Sequence, residues 1–119
     1  MFTISLNGII RVNRGDSFSF LVPVNVGNNL ISDIYMLTES DALYVGVMEP
    51  NQPFERALIR KKYTKDSQDE NGNVVVRFTP DDTLNLLPGK YYYQIKLVRS
   101  GPETAVCTIV DQTQFFIMN

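Results

Sequence analysis

Histidine and tryptophan are absent from the 119 residues, and there is a single cysteine, Cys107. Without histidine the chain lacks the side chain that titrates near neutral pH, the usual general base of a catalytic triad and the commonest zinc ligand. A lone cysteine can close neither an internal disulfide nor a thiolate metal site, so packing has to hold the fold. Long apolar runs are missing too: none approaches the ~18 residues needed to cross a bilayer, and Met1 is not followed by the basic-then-apolar order of a secretion signal. The expectation is a soluble chain made in the cytoplasm. An excess of one charge is also lacking, since 11 Lys and Arg against 13 Asp and Glu leave a net charge of −2. So small a net charge supplies no overall field for a polyphosphate backbone, and neither nucleic acid nor a membrane is expected as a partner.

What is present suits one globular domain over residues 1–119, because single cores usually hold about 100 to 150 residues. Helical periodicity is nowhere sustained, whereas period-two alternation recurs between turn signals, so the chain reads as all-β. Over residues 16–26, Phe18, Phe20, Val22, Val24 and Val26 point one way and Ser17, Ser19, Leu21, Pro23 and Asn25 the other. Pro23 lacks a ladder donor, which predicts a sheet edge or a bulge there. Residues 90–98 alternate as clearly, with Tyr91, Tyr93, Ile95 and Leu97 opposed to Lys90, Tyr92, Gln94 and Lys96. Residues 73–78 turn Val74, Val76 and Phe78 inward. Further strands are expected over 2–6, 9–13, 34–37, 43–48, 54–63, 104–110 and 114–118. Their spacing predicts about seven to nine strands in two packed sheets.

Asn7-Gly8 and Asn71-Gly72 carry residues that tolerate positive φ between strand-like runs, so a hairpin turn is expected at each. Pro50 and Pro53 interrupt the chain before Phe54, and Ser100-Gly101-Pro102 predicts a reversal. Thr79-Pro80-Asp81-Asp82 reads as one helical turn, with Thr79 as cap, Pro80 in the first position and two carboxylates at the positive end of the dipole. It leads into Leu86-Leu87-Pro88-Gly89-Lys90-Tyr91, the pattern of a tyrosine corner, in which a tyrosine opening a strand after a Greek-key crossover bonds back to upstream backbone. Tyr91 is the candidate for that role, and Tyr93 is structural beside it. Tyr92, on the opposite face, is the tyrosine left for a partner.

Arg14-Gly15-Asp16 spells the integrin tripeptide, but it stands where a strand must begin and reads as a plain turn. Arg56, Arg60, Lys61, Lys62 and Lys65 gather nearly half of the 11 basic residues, with Asp66, Asp69 and Glu70 following. Alternation over 54–63 places Arg56, Arg60 and Lys62 on one face, either a solvated face guarding an edge or a docking patch for an acidic partner surface. Asp33, Glu39 and Asp41, and again Asp66, Asp69 and Glu70, are the carboxylate groupings dense enough to suggest calcium or a glycosidase pair. Neither follows EF-hand spacing, and both read as solvated loops. Alternation puts Cys107 on one face with Ala105 and Ile109, and with no histidine to activate it, it reads as a small core residue rather than a nucleophile.

Two segments together resemble a known family. Arg14-Gly15-Asp16-Ser17-Phe18-Ser19-Phe20, opening an alternating strand, and Phe78-Thr79-Pro80-Asp81-Asp82-Thr83 followed by Leu87-Pro88-Gly89-Lys90-Tyr91-Tyr92-Tyr93-Gln94-Ile95 are similar to the immunoglobulin-like N-terminal domain of phage baseplate upper proteins and related tail, fibre and head domains. Phe115-Phe116-Ile117 resembles that family's closing strand. The resemblance implies an immunoglobulin-like antiparallel β-sandwich with a Greek-key crossover. It also implies a structural component of a bacteriophage virion, in many copies at fixed symmetry, docked on a distal tail, neck or capsid neighbour. Residues 28–55 depart from the family pattern, being longer and more hydrophobic than its small polar hairpin, and the chain ends right after the last strand. The expectation is therefore a baseplate, neck or capsid-surface module acting as adaptor, fibre anchor or decoration, or the anchoring fragment of something larger.

Such a module catalyses nothing and needs no cofactor or metal. Tyr92, Tyr44 and Leu21 are expected to anchor the contact, with Arg60, Lys61 and Lys62 setting its orientation. Three rival readings stay open: a carbohydrate-binding module, whose tyrosines stack on a host glycan while acidic loops hold calcium; an adhesion domain of the same architecture; and an enzyme, since carboxylates alone can hydrolyse glycosides.

Overall fold

Residues 2–25, 34–100 and 104–119 are described by the computed structural model, and they form eight strands and one short helix. In chain order these are β1 (Phe2–Ile4), β2 (Ile10–Asn13), β3 (Phe18–Pro23), β4 (Asp41–Met48), β5 (Ile59–Tyr63), β6 (Asn73–Phe78), α1 (Pro80–Leu84), β7 (Gly89–Ser100) and β8 (Thr104–Met118). Six strands pair in the order β1, β2, β8, β7, β4, β5, and β3 pairs with β6 in a second sheet. All pairings are antiparallel except β2 with β8, which run parallel from Ile10 opposite Phe115 to Asn13 opposite Met118.

Alternation decides which faces meet. Phe18, Val22, Val74, Val76 and Phe78 of the small sheet share one core with Ile10, Val12, Leu43, Val45, Val47, Tyr93, Ile95, Leu97 and Phe115 of the large one. Aromatic rings join the two layers: Phe18 stacks on Phe78 at 4.6 Å and on Phe2 at 4.7 Å, while Phe115 of β8 meets the Phe78 ring at 5.7 Å. Each ring pair adds about 0.5–1.5 kcal/mol, against roughly 1.5–3 kcal/mol for burying one large side chain, so burial carries the fold and ring geometry sets the register of the layers.

The connections use the expected chemistry in most places. Ser5 accepts the Gly8 N–H at 3.0 Å in the turn joining β1 to β2. At Asn71-Gly72 the Asp69 carboxylate accepts the N–H groups of Asn71 and Asn73 at 2.9 Å each. Gly72 adopts a φ of 86°, and a Cβ there would stand 2.1 Å from Ile34 Cγ2. This is a tight turn without a full hairpin, since β6 pairs with β3 rather than β5 and only Gln68 bridges back to Val74. Thr79 is the N-cap of α1, as expected, in a capping box completed by Asp82, whose carboxylate accepts the Thr79 N–H at 2.7 Å and the Thr79 hydroxyl at 3.3 Å. Arg14-Gly15-Asp16 is a turn tied down through the Gly15 N–H, which donates to buried Thr83 Oγ1 of α1 at 2.8 Å. Pro23 closes an edge strand, as its missing donor predicted. Tyr63 of β5 reaches the outer edge of β6, where its hydroxyl accepts the Arg77 N–H at 3.0 Å.

Several expected strands take another form. Residues 34–37 make a single bridge, from Ile34 to Asn25. Beyond that bridge, where the Tyr35 N–H donates to the Val24 carbonyl at 2.8 Å, a side chain replaces the ladder: Gln68 accepts the Leu37 N–H at 2.7 Å and donates to the Tyr35 carbonyl at 2.9 Å. The run 54–63 begins as a 3₁₀ turn over Phe54–Arg56 following Pro53, and the strand starts only at Ile59. Residues 104–110 and 114–118 belong to one strand, β8, whose register against β7 shifts twice between Tyr93 and Lys96. Those shifts put extra residues into β8 and bend it, as bulges do. The strand expected over 16–26 is ladder-paired over Phe18–Pro23, and Val26 lies outside the described residues, as does the reversal at Gly101-Pro102.

Tyr91 opens the buried stripe of β7, and its hydroxyl donates to the Leu87 carbonyl four residues upstream at 2.7 Å. That bond fixes the path from α1 into β7. Tyr91→Phe is expected to cost about 1 kcal/mol in denaturant unfolding, the net worth of one such bond, with no change in the shape of the circular dichroism spectrum.

Candidate functional site

Cross-strand register sorts the side chains of the large sheet into an inner and an outer face. Across the outer face Lys62 of β5 stands opposite Tyr44 of β4, which stands opposite Lys96 of β7. At the other end of the sheet Lys90 of β7 stands opposite Phe116 of β8, which stands opposite Arg11 of β2. Between these two rows lie Arg60, Gly46 and Gln94, then Met48, Tyr92 and Gln114. The cations rest on rings: Lys62 Nζ is 5.9 Å from the Tyr44 centroid, Lys96 4.9 Å from Phe54, Lys90 5.4 Å from Tyr92, and the Arg11 guanidinium 5.1 Å from Phe116. Each contact is worth about 0.5–1 kcal/mol when exposed, enough to hold a flexible cationic head in place without neutralising it.

Gly46 shapes one side of this face. A Cβ at that position would stand 3.1 Å from Ala57 Cβ and 3.2 Å from Phe54 Cε1, so the missing side chain lets the 3₁₀ turn and Ala57 close down over β4. Phe54 thereby becomes the wall of a cleft of about 340 Å³ lined also by Tyr44, Arg60, Lys61 and Lys62. An adjoining cleft of about 500 Å³ shares Arg60 and Glu55 with it and extends to Glu49, Arg56 and Leu58. The Arg60 guanidinium is braced by the backbone carbonyls of Glu55 and Ala57.

Of the six residues singled out from sequence, Tyr44, Arg60, Lys61 and Lys62 thus border one cleft. Lys61 nonetheless spends its charge inward, because neighbours on a strand face opposite ways: its Nζ is 2.7 Å from Asp82 and 5.5 Å from the Phe78 centroid. Tyr92 shares the outer face but lies outside the cleft, half-buried beneath Lys90. Leu21 is 60% exposed on the outside of the other sheet, opposite Val75, and is not brought near the rest. Arg56 belongs to the 3₁₀ turn rather than to the strand face, and Lys65 pairs with Glu39 at 3.2 Å. Sequence reasoning passed over Phe54, Lys96, Lys90, Arg11 and Phe116. The outward half of the 90–98 alternation held the signal for Lys90 and Lys96.

The acidic groupings do not converge. Among the described residues no three acidic or thiol side chains come together as metal ligands, and Asp33 lies outside them. Asp41 is 5% exposed and faces the interior, where one carboxylate oxygen accepts the Tyr35 hydroxyl at 2.6 Å, the Thr38 N–H at 2.8 Å and the Thr38 hydroxyl at 2.9 Å. Burial pushes this carboxyl up, but those hydrogen bonds and the charge of Arg99 outweigh it and leave its pKa below the ordinary value. The Tyr35 hydroxyl is raised in turn, chiefly by donating to Asp41 and then by burial. Cys107 is half-buried opposite Leu97 and packs against the core. No protein-family model matches the chain, and no curated protein matches it significantly.

Two outcomes are expected. Gly46→Val, by pushing Phe54 and Ala57 off β4, lowers stability by about 1–3 kcal/mol in denaturant unfolding. Asp41→Asn lowers Tm at neutral pH. Because the Asp41 pKa is depressed on folding, its contribution is complete above the unfolded pKa and fades as pH falls through the folded one. The gap between variant and wild type therefore narrows below about pH 4 in thermal melts over pH.

Proposed function

We propose that the chain is an immunoglobulin-like β-sandwich acting as a non-enzymatic structural protein of a bacteriophage particle, which docks onto a neighbouring virion protein through the outer face of its large sheet. Three features support the immunoglobulin-like assignment. The pairing of β3 with β6 matches strands B and E of that fold, and the run β5, β4, β7, β8 matches C′, C, F and G. The Tyr91 bond to Leu87, at the start of the strand that follows α1, matches the tyrosine corner of strand F.

One observation carries the docking reading: the paired outward positions of six strands hold five cations, Arg11, Arg60, Lys62, Lys90 and Lys96, and no carboxylate. Of the two acids within strands, Asp41 is on the inner face, and Asp111, at the register shift of β8, accepts from outward-facing Gln94 at 3.5 Å, one negative charge against the five positive ones. Such a surface is costly to leave facing only itself and suited to a complementary protein surface, with the Tyr44 and Phe54 cleft as its apolar anchor point. The module would repeat in the tail baseplate, neck or capsid surface as adaptor, fibre anchor or decoration.

Co-sedimentation tests this. Tagged protein is expected to band with purified phage particles at a fixed copy number, and Tyr44→Ala combined with Arg60→Glu to reduce that copy number. A folded protein that remains monomeric and never bands with particles would refute the assignment. Binding on a glycan array that is abolished by Tyr44→Ala would replace it with the carbohydrate-binding reading.

A further inference from the structure

We infer that the partner presents an acidic, extended polypeptide segment, and that this segment lies across the outer face of the large sheet, bridging the Lys62, Tyr44, Lys96 row and the Lys90, Phe116, Arg11 row. The inference rests on the docking reading and specifies what docks. Its first ground is charge. In a chain of net charge −2, the outer face concentrates five positive side chains. Among the described residues the ion pairs are Lys61 with Asp82 and Lys65 with Glu39, and none of the five takes part in either. Within each row the cations rest on ring quadrupoles, whereas carboxylates from outside would offset their repulsion directly.

The second ground is spacing. Lys96 and Lys90 stand six residues apart on β7, which at about 3.3 Å per residue separates the two rows by ~20 Å. An extended segment of about seven residues covers that distance and carries side chains toward the sheet at every second position, so acidic groups at its ends meet both rows. The stretch between passes Tyr92 and Gln94, whose amide donates to Asp111 at 3.5 Å, so the acidic groups of the segment belong at its ends and not at its middle.

The third ground separates a polypeptide from a nucleic-acid strand, which also carries regular negative charge. Single-stranded nucleic acid is bound by stacking bases on open aromatic faces. Here Tyr44, Tyr92, Phe54 and Phe116 each lie under a cationic head at 4.9 to 5.9 Å, so the rings serve as supports for the cations.

The test is fluorescence anisotropy of the full chain with a labelled oligo-glutamate peptide long enough to span both rows, and separately with a labelled oligothymidylate. The peptide is expected to bind at low salt and to weaken as salt rises. Reversing one row with Lys62→Glu and Lys96→Glu together, or the other with Lys90→Glu and Arg11→Glu, is expected to weaken binding on the order of tenfold each. Lys65→Glu, off this face, should leave it nearly unchanged. Thermal melts establish that each variant is folded, and the milder pair Lys62→Gln and Lys96→Gln gives the same ordering should a reversal fail to fold. Absence of peptide binding by folded wild type, indifference to both reversals, or tighter binding of oligothymidylate would each overturn the inference. Particle association that persists in a protein unable to bind the peptide would discard the acidic segment and leave the docking reading standing, whereas loss of both would remove both.

Discussion

Contact between a wide sheet and a narrow one governs this molecule. Six strands present more inner surface than two strands can cover, and large aromatic side chains help to fill the gap: Phe18 and Phe78 of the small sheet lie tilted against Phe115, and Phe2 of β1 stacks on Phe18. With no disulfide available, the burial of these rings and their aliphatic neighbours is what keeps the layers together. Everything on the outer face follows from it, because a side chain is pointed outward only where its strand neighbours are pinned inward. The same alternation that buries Tyr93, Ile95 and Leu97 turns out Lys90, Tyr92 and Lys96.

Legibility in the sequence tracked how local the deciding interaction is. Strands β6 and β7 were readable residue by residue, since each buries every second side chain against the core. The helical turn at α1 and the bond from Tyr91 were readable too, because cap and corner are completed within four residues. What escaped were decisions made by distant partners. Residues 34–37 looked like a strand, but Gln68 took the Tyr35 carbonyl and the Leu37 N–H from across the fold. Phe54 looked like the start of a strand, but the bare surface at Gly46 drew it onto β4 instead. The parallel pairing of β2 with β8 joins the two ends of the chain, and no local pattern encodes such a match.

The candidate surface was half legible for the same reason. Arg60 and Lys62 announce themselves as a cluster, and Tyr44 as an aromatic in a plausible strand. Arg11, Lys90, Lys96 and Phe116 are scattered over the sequence and become neighbours only through strand order. Lys61 shows the limit of composition from the other side: it belongs to the densest basic cluster, yet its charge is absorbed by Asp82.

Tyr63 has an effect beyond its own contact. Exposed strand margins invite copies of a protein to knit together indefinitely, a hazard that grows with concentration. By occupying the main-chain amide of Arg77, the phenol plugs the margin of β6 with a side chain. It also stitches the last strand of one sheet to the small sheet beneath. Lateral growth is thereby discouraged at that seam, and self-association is steered away from backbone pairing toward side-chain recognition, which can be satisfied once and then stops.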